Sequence, residues 1–463
     1  MLTTTTSPTE TRQWNRRLST RAERFTAGKA LRERVPRSSH GEWAPGPERP
    51  DPLSILEESN RTRLEHLVPI RYGRMALSPF AFLRGSAAVM ASDLARTPIS
   101  GIQAQICGDA HLSNFGIYAS PERRQVFDVN DFDETLAGPW EWDVKRLAAS
   151  VVVAARHNGY STREIKQAVL KCMASYHTSM QRFATMHHLD VWYFHIQVEN
   201  KVALECNKQR KFIDKLSARA HKRTRIETFP KLAGLVNGEY RIKEDPPLIV
   251  HSPDMLESEA WTAALFDYLT SLSEERRMLL SRYNEVDIAR KVVGVGSVGT
   301  RCTIALFLGG AEGDDPLFLQ IKEASASVLE PYMGASPYAN HGQRVVHGQR
   351  LMQAVSDTLL GWSVFDGRDF YVRQLRDMKG SAEVERMKPN IFTMYVELCA
   401  ATLARAHART SDPAQISGYM GNKDQFDRAI AAFAESYADQ TERDHAALIA
   451  AIQEGRIQAQ SGV

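Results

Sequence analysis

The chain has few cysteines, no long apolar run and almost no net charge, and each shortage excludes a class of protein. Its five cysteines are scattered over 463 residues without a Cys-x-x-Cys pair, which argues against a disulfide scaffold or a zinc site and favours a reducing cytoplasm. The 58 basic and 55 acidic residues leave a formal charge of +3, so we do not expect nucleic acid as a partner. The longest apolar helix core, residues 147–155, is too short to span a bilayer, so no membrane partner is expected.

The most informative segment present is Gly-Asp-x-His-x-x-Asn at residues 108–114, followed by an acidic cluster at residues 128–134. Phosphoryl transfer asks a protein for a carboxylate that orients the attacking hydroxyl and for oxygen ligands to Mg²⁺. Asp109 is the expected base and Asn114 an expected metal ligand. His111 is a second candidate catalytic residue, through contact with phosphate or substrate. A predicted hairpin between the two segments would hold them side by side.

A second constellation lies further along the chain, where Gly-x-Gly-x-x-Gly occupies residues 294–299. The β-branched and apolar residues 301–308 after it predict a strand, whereas a dinucleotide-binding fold requires a helix there. A further predicted strand, residues 317–322, ends in a lysine. The backbone of a glycine hairpin can approach phosphates and a facing lysine can neutralise them. The expected nucleotide-binding residues are therefore Gly294, Gly296, Ser297, Gly299 and Lys322.

Residues 107–114 resemble the catalytic loop His-Gly-Asp-x-His-x-x-Asn of the aminoglycoside phosphotransferase and choline kinase branch of the protein-kinase-like superfamily, with Cys107 in place of the first histidine. The glycine hairpin and the strand ending in Lys322 look like the glycine loop and the Val-Ala-Ile-Lys strand of protein kinases. The resemblance implies ATP and Mg²⁺ as cofactors. In ordinary kinases the glycine loop precedes the catalytic loop, whereas here it follows. A circular permutation would reconcile the two orders.

The acidic cluster offers Asp128, Asp131 and Asp133 as further metal ligands. Residues 138–144 resemble the Gly-Asp-Pro-x-x-Asp-Leu-Ala stretch that follows the metal-binding aspartate of the superfamily, and counting back from them favours Asp131. Counting forward from Asn114 along a hairpin of ordinary length favours Asp128. We prefer Asp131, because it begins an Asp-aromatic-acid pattern that ends at Asp133. A solvated acidic turn is the alternative.

Several separated phrases, from about Arg71 to Gly455, resemble an uncharacterised bacterial family catalogued as domain of unknown function 2252. They lie at residues 74–80, 82–85, 107–114, 130–134, 291–300 and 403–409. This second resemblance is specific for membership and implies no substrate.

The expected fold is α+β, a kinase-like arrangement of two lobes that is circularly permuted and carries extra helices. We expect a flexible arm or loosely docked helix over residues 1–53, with ordered structure from about Ser54, a helical catalytic-loop region over 54–285, a β-rich glycine-loop region over 286–380 and C-terminal helices over 381–463. Single helices are predicted over residues 79–97, 199–219 and 255–283, and two separate helices over 425–438 and 442–454.

The expected activity is transfer of the ATP γ-phosphoryl group to a hydroxyl of an unidentified small molecule. The alternatives are a non-catalytic nucleotide-binding or regulatory protein and an AMP transferase on a kinase-like fold. A kinase-like site positions its lysine with a helix glutamate, but the predicted helix after Lys322 offers none. Glu330 is the nearest plausible partner, and Glu323 should point to the opposite face of its strand.

Overall fold

The computed structural model describes residues 18–198, 207–251, 258–292, 294–375 and 378–462, and its fold is mixed α+β, as predicted. The helices before the catalytic loop are α1 (Arg21–Arg34), α2 (Pro52–Asn60), α3 (Val68–Met75), α4 (Pro79–Gly85) and α5 (Ala87–Leu94). Helix α1 begins at a capping box in which the Thr20 hydroxyl accepts the N–H of Glu23. Near its end Arg32 donates to the carbonyl of Tyr419 at 2.9 Å. Ordered structure therefore begins well before Ser54.

The helix predicted over residues 79–97 is interrupted at Ser86, where φ is −116° and ψ is 39°. The buried Arg71 side chain donates to the carbonyl of Gly85 at 2.8 Å, which ends helix α4 at that glycine. Glycine itself also disfavours a continuing helix. The apolar spacing continues across this break, so the sequence pattern predicted one helix. A pattern of neighbouring residues does not show the hydrogen bond from Arg71.

Four short strands frame the catalytic loop and the acidic cluster: β1 (Gln103–Ile106), β2 (Phe115–Ala119), β3 (Gln125–Val129) and β4 (Leu136–Pro139). Strands β2 and β3 form the predicted antiparallel hairpin, with Phe115 opposite Val129. Strands β1 and β4 also pair, with Ile106 opposite Leu136. The catalytic loop leaves β1 and the acidic loop enters β4, so the two loops lie side by side.

A helical region follows, in which α6 runs through the centre of the main hydrophobic core. Its elements are α6 (Trp140–His157), α7 (Thr162–Thr185), α8 (His188–Tyr193), β5 (Ile196–Gln197), α9 (Asn207–His221), α10 (Arg225–Leu232), β6 (Ala233–Val236), β7 (Glu239–Ile242), β8 (Ile249–His251), α11 (Glu259–Thr270) and α12 (Glu274–Leu280). Residues 199–206 and 252–257, where two predicted helices begin, lie outside the described residues. The second predicted helix is divided into α11 and α12.

An antiparallel sheet of six strands carries the glycine motif, in the order β12-β13-β11-β10-β9-β8. The new elements are β9 (Asn284–Lys291), β10 (Cys302–Leu308), β11 (Pro316–Glu323), α13 (Glu330–Met333), α14 (His341–Met352), β12 (Gly361–Phe365), β13 (Arg368–Gln374) and β14 (Gly380–Ser381). Strands β9 and β10 pair antiparallel, with Arg290 opposite Thr303, so residues 294–299 lie in a hairpin as predicted. Lys322 on β11 lies between Cys302 and Tyr371 of the neighbouring strands.

The chain ends in helices α15 (Pro389–Thr410), α16 (Pro413–Met420) and α17 (Gln425–Gln453). The two helices predicted after residue 425 are therefore one continuous helix. Within the predicted gap Thr441 is buried and its hydroxyl donates to the carbonyl of Tyr437, so this polar residue is accommodated inside the helix. Across the described residues, none of the helices combines the length and apolarity needed to cross a membrane.

Candidate functional site

The catalytic loop is held by a buried carboxylate on helix α6. Asp143 accepts the backbone N–H of Cys107 at 2.8 Å and that of Gly108 at 2.9 Å. Gly108 has a φ of +75°, and a Cβ there would lie 2.6 Å from the carbonyl oxygen of Glu134. The turn before Asp109 therefore requires glycine. The Asp143 carboxylate fixes this turn by binding its backbone N–H groups.

Asp109, the expected base, forms an ion pair with Arg146, which lies on α6 one turn after Asp143. Burial raises the pKa of Asp109, and the positive charge of Arg146 offsets part of that increase. The Asp109 side chain is still 20% exposed, whereas that of Arg146 is 2% exposed. The buried Arg146 thus orients the Asp109 carboxylate, and the exposed part of this carboxylate is accessible to a substrate.

His111 faces the same carboxylate, with Nε2 at 3.6 Å from Asp109 Oδ2. Its Nδ1 accepts the backbone N–H of Ser113, so in the neutral ring the proton belongs on Nε2, directed toward Asp109. Burial lowers the pKa of His111 well below its ordinary value, and the nearby arginines Arg84 and Arg146 lower it further. His111 is therefore a neutral donor beside the base.

Asn114 joins the catalytic loop to the acidic loop. Its side-chain N–H donates to the carbonyl of Asp109 at 2.7 Å, and its own carbonyl accepts the N–H of Asn130 at 2.8 Å. Within the described part of the chain the amide oxygen Oδ1 of Asn114 has no hydrogen-bond partner. This oxygen is free to act as a metal ligand, the role expected from the sequence.

The structure separates Asp128 from the other two aspartates of the cluster. Asp128 lies in the core, where it forms an ion pair with Arg405 and accepts the N–H of Ala354 at 3.1 Å. Asp131 is partly exposed, and its pKa is raised by burial and by the negative charge of Asp133. Among the described residues Asp131 forms no ion pair, whereas Asp128 is already paired with Arg405.

Asp133 connects the two constellations that the sequence placed far apart. The ammonium of Lys322 forms an ion pair with Asp133 Oδ2, and the Ser297 hydroxyl of the glycine hairpin donates to the same oxygen at 3.2 Å. The hydroxyl of Tyr371 donates to Oδ1 at 2.9 Å. Burial alone would raise the pKa of Asp133, but Lys322 and the Tyr371 hydroxyl hold it below the ordinary value.

Glu330 is not the partner of Lys322, contrary to the sequence-based expectation. Its carboxylate accepts the N–H of Ser327 at 3.2 Å and faces Arg344 on α14 at 3.9 Å. The residue of α14 that faces Glu330 is Arg344. The acidic partner of Lys322 is instead Asp133 of the acidic loop. Glu323 does point to the opposite face, as predicted, and forms an ion pair with Arg301 at 3.2 Å.

The glycine hairpin needs glycine at its two ends, because Gly294 and Gly299 have φ values of +68° and +90°. A Cβ at Gly296 would lie 3.3 Å from the carbonyl oxygen of Arg84, so this glycine permits a close approach. Arg63 donates to the carbonyl of Val298 at 2.6 Å. The hairpin is therefore packed against the N-terminal helical region.

Two basic residues that the sequence did not single out lie on the far side of the acidic loop. Arg373 donates to the carbonyl of Asn130 at 3.2 Å, and the positive charges of Lys322 and Arg373 offset part of the rise in the pKa of Asp131. Lys379 lines the same polar cavity of about 250 Å³. Burial, followed by the charge of Arg373, lowers the pKa of Lys379 to about 7.

We expect Lys379 to gain its proton only as the pH falls through about 7, because burial lowers its pKa to that value. An ordinary lysine has a pKa of about 10.4 and is protonated well above pH 7. Reductive ¹³C-methylation followed by NMR titration measures this directly. In a Lys379→Arg variant the signal that titrates near pH 7 should disappear. A signal near pH 7 that persists in this variant would show that it does not come from Lys379.

Arg146, Asp143 and Tyr371 are further site residues that the sequence reasoning missed. A usable signal was present for two of them: Asp143 and Arg146 share one face of a helix whose other residues are mostly apolar. Charged residues that are buried on such a helix need partners elsewhere in the fold.

Across the described ranges no cluster of three or more His, Cys, Asp and Glu side chains is arranged to hold a metal ion. A Mg²⁺ ion, however, is usually held by one or two carboxylates together with water and substrate phosphates. The oxygens of Asn114 and Asp131 fit such a partial protein ligand set.

Comparison with known proteins gives one match. The chain matches neither a curated protein nor a solved structure. A family profile described as an uncharacterised protein conserved in bacteria matches residues 63–451, a span that includes both the catalytic loop and the glycine hairpin. The chain therefore belongs to the bacterial family DUF2252.

Proposed function

We propose that this protein is a kinase-like phosphotransferase that moves the γ-phosphoryl group of ATP, with Mg²⁺, to a hydroxyl of a small molecule. The observation that carries the proposal is the meeting of Lys322 and Ser297 at Asp133. A phosphate-binding lysine, a glycine hairpin and a loop with a base and metal ligands are the parts that phosphoryl transfer requires. Asp133 lies in the first half of the chain and Lys322 and Ser297 in the second, so these contacts bring the two predicted groups of site residues together.

In the proposed reaction each side chain of the site has one role. Asp109 accepts the proton of the attacking hydroxyl, and Arg146 holds its carboxylate in position, with the neutral His111 ring beside it. Asn114 Oδ1 and Asp131 would hold Mg²⁺, which would neutralise charge on the phosphates. Lys322 would exchange its contact with Asp133 for one with the phosphates.

The succession of elements in the sheet also supports the proposal. The glycine hairpin joins β9 to β10, the lysine lies near the end of β11, and helix α14 follows before β12. Protein kinases likewise place a glycine loop, a lysine on the third strand and a helix in this succession. Here that unit follows the catalytic loop in the chain, which is the permuted order inferred from the sequence.

The test is incubation of the protein with γ-labelled and, separately, α-labelled ATP, Mg²⁺ and an extract of cell metabolites. We expect label to move from the γ position to a small molecule. Label moving only from the α position would instead identify an AMP transferase. No transfer from either, together with saturable ATP binding, would indicate a binding protein and contradict the proposal.

ATP binding is expected to require divalent metal, and Asp131→Asn should weaken that metal dependence more than Asp128→Asn. Asp131 is partly exposed beside Asn114, whereas Asp128 is neutralised by Arg405 in the core. Calorimetric titration of ATP at several Mg²⁺ concentrations measures the effect. A larger loss in the folded Asp128→Asn protein would assign the metal to Asp128.

A further inference from the structure

A largely apolar cavity of about 240 Å³ lies on the face of the six-stranded sheet that is turned away from Lys322. Helix α11 forms its roof, through Trp261, Ala264 and Tyr268, and strands β10, β11 and β13 form its floor. Side chains alternate across a strand, so Ile321 faces this cavity while its neighbour Lys322 faces the acidic loop. The cavity is therefore separate from the proposed nucleotide site.

The polar ends of the two large aromatic residues in the roof already have partners. Trp261 Nε1 donates to Glu285 at 2.7 Å, and the Tyr268 hydroxyl donates to the carbonyl of Leu359 at 2.7 Å. Apart from Thr303 and Ser363, whose hydroxyl donates to the carbonyl of Ala264, the surfaces toward the inner cavity are mostly apolar rings and aliphatic side chains. Such a wall favours a hydrocarbon ligand over a polar one.

Two arginines lie at the solvent-exposed opening of the cavity. Arg290 and Arg301 line it and are partly exposed, whereas its apolar floor is buried. Arg301 is paired with Glu323, which also binds Arg368 at 3.2 Å. Arg290 has no ion-pair or side-chain hydrogen-bond partner among the residues that the structure describes. An unpaired cation next to an apolar cavity is complementary to an apolar chain that ends in an anion.

We propose that this cavity binds a free medium-chain fatty acid, with the alkyl chain under α11 and the carboxylate at Arg290. An apolar cavity of about 150 Å³ holds benzene, so by proportion about 240 Å³ accommodates roughly ten carbons. The guanidinium of Arg290 offers a planar pair of donors that matches a carboxylate. This proposal does not depend on the phosphotransferase activity.

Trp261 provides a direct readout in the unmodified chain. Titration with a brominated decanoic acid should quench its fluorescence saturably, and Trp261→Phe should remove the quenched component, which separates it from the other six of the seven tryptophans. With saturated acids of increasing length, affinity should rise by about fourfold per added methylene until the cavity is full, and then level off. Binding only to vesicles of anionic lipid, with none to the free acid, would overturn the proposal.

Paired variants locate the ligand. Ala264→Trp fills the cavity and should abolish decanoate binding, whereas Ala263→Trp, at an exposed position of the same helix, should preserve it. Arg290→Gln should weaken decanoate at least tenfold and leave decanol almost unchanged. Normal binding by a folded Ala264→Trp protein, equal losses for acid and alcohol in Arg290→Gln, or no saturable quenching in the native chain would each refute the assignment.

Discussion

Replacement of Asp109 by asparagine is expected to lower the turnover of the labelled-phosphate reaction by about 10²- to 10⁴-fold, the usual contribution of a general base. Asparagine keeps the shape of the side chain but cannot accept the proton of the acceptor hydroxyl. ATP affinity should change little, because Asp109 contacts Arg146 and His111 and not the glycine hairpin. Single-turnover kinetics with γ-labelled ATP gives the rate, and calorimetry gives the affinity.

The matched variant is Lys322→Met, which should lower both the rate and the affinity for ATP. Its ammonium is the cation that we propose contacts the phosphates, and in the structure it forms an ion pair with Asp133. If Asp109→Asn lowers only the rate while Lys322→Met lowers both the rate and the ATP affinity, Asp109 acts in the chemical step and Lys322 also in nucleotide binding. If the folded Asp109→Asn protein retained near-normal turnover, Asp109 would not be the base, and the proposed mechanism would fail at its central residue.

Arg405→Met is expected to reduce the free energy of unfolding by about 3–5 kcal/mol, the usual cost of leaving one partner of a buried ion pair unpaired. The side chains of Arg405 and Asp128 are 1% and 3% exposed, so the carboxylate would be left without a counter-charge in the core. Chemical denaturation of the two proteins measures the difference.

Two further variants control for this effect. Arg428→Met breaks an exposed pair with Asp424 and should change stability by no more than about 0.5 kcal/mol. Adding Asp128→Asn to Arg405→Met should restore part of the loss, because the buried charge is then removed as well. Equal stability of Arg405→Met and the wild-type protein would mean that Asp128 is not held in this pair.

The local parts of the site were predictable because short-range patterns encode them. The β2–β3 hairpin and the strands on each side of residues 294–299 follow from apolar alternation and turn residues that lie close together in the sequence. The same is true of Glu323, whose direction follows from strand alternation alone. The assignment of Asp109, Asn114 and Asp131 as catalytic and metal-binding residues remains a prediction that only the experiments above can test.

The parts that could not be predicted are contacts between distant segments. Nothing near Lys322 in the sequence indicates that its charge partner is Asp133 and not Glu330, since that choice depends on how the sheet packs on the acidic loop. Likewise, Arg71 ends helix α4 through a carbonyl that local propensity treats as part of a helix. Long-range packing overrides local preference at both places.

The most direct test of the proposed site is a crystal structure of the protein with Mn²⁺ and a non-hydrolysable ATP analogue. We expect an anomalous peak within coordination distance of Asn114 Oδ1 and Asp131, with the triphosphate between the Gly294–Gly299 hairpin and Lys322 and its γ-phosphate facing Asp109. A nucleotide bound away from the hairpin, or a metal ion with no ligand from either loop, would contradict the proposal that the two constellations form one nucleotide site.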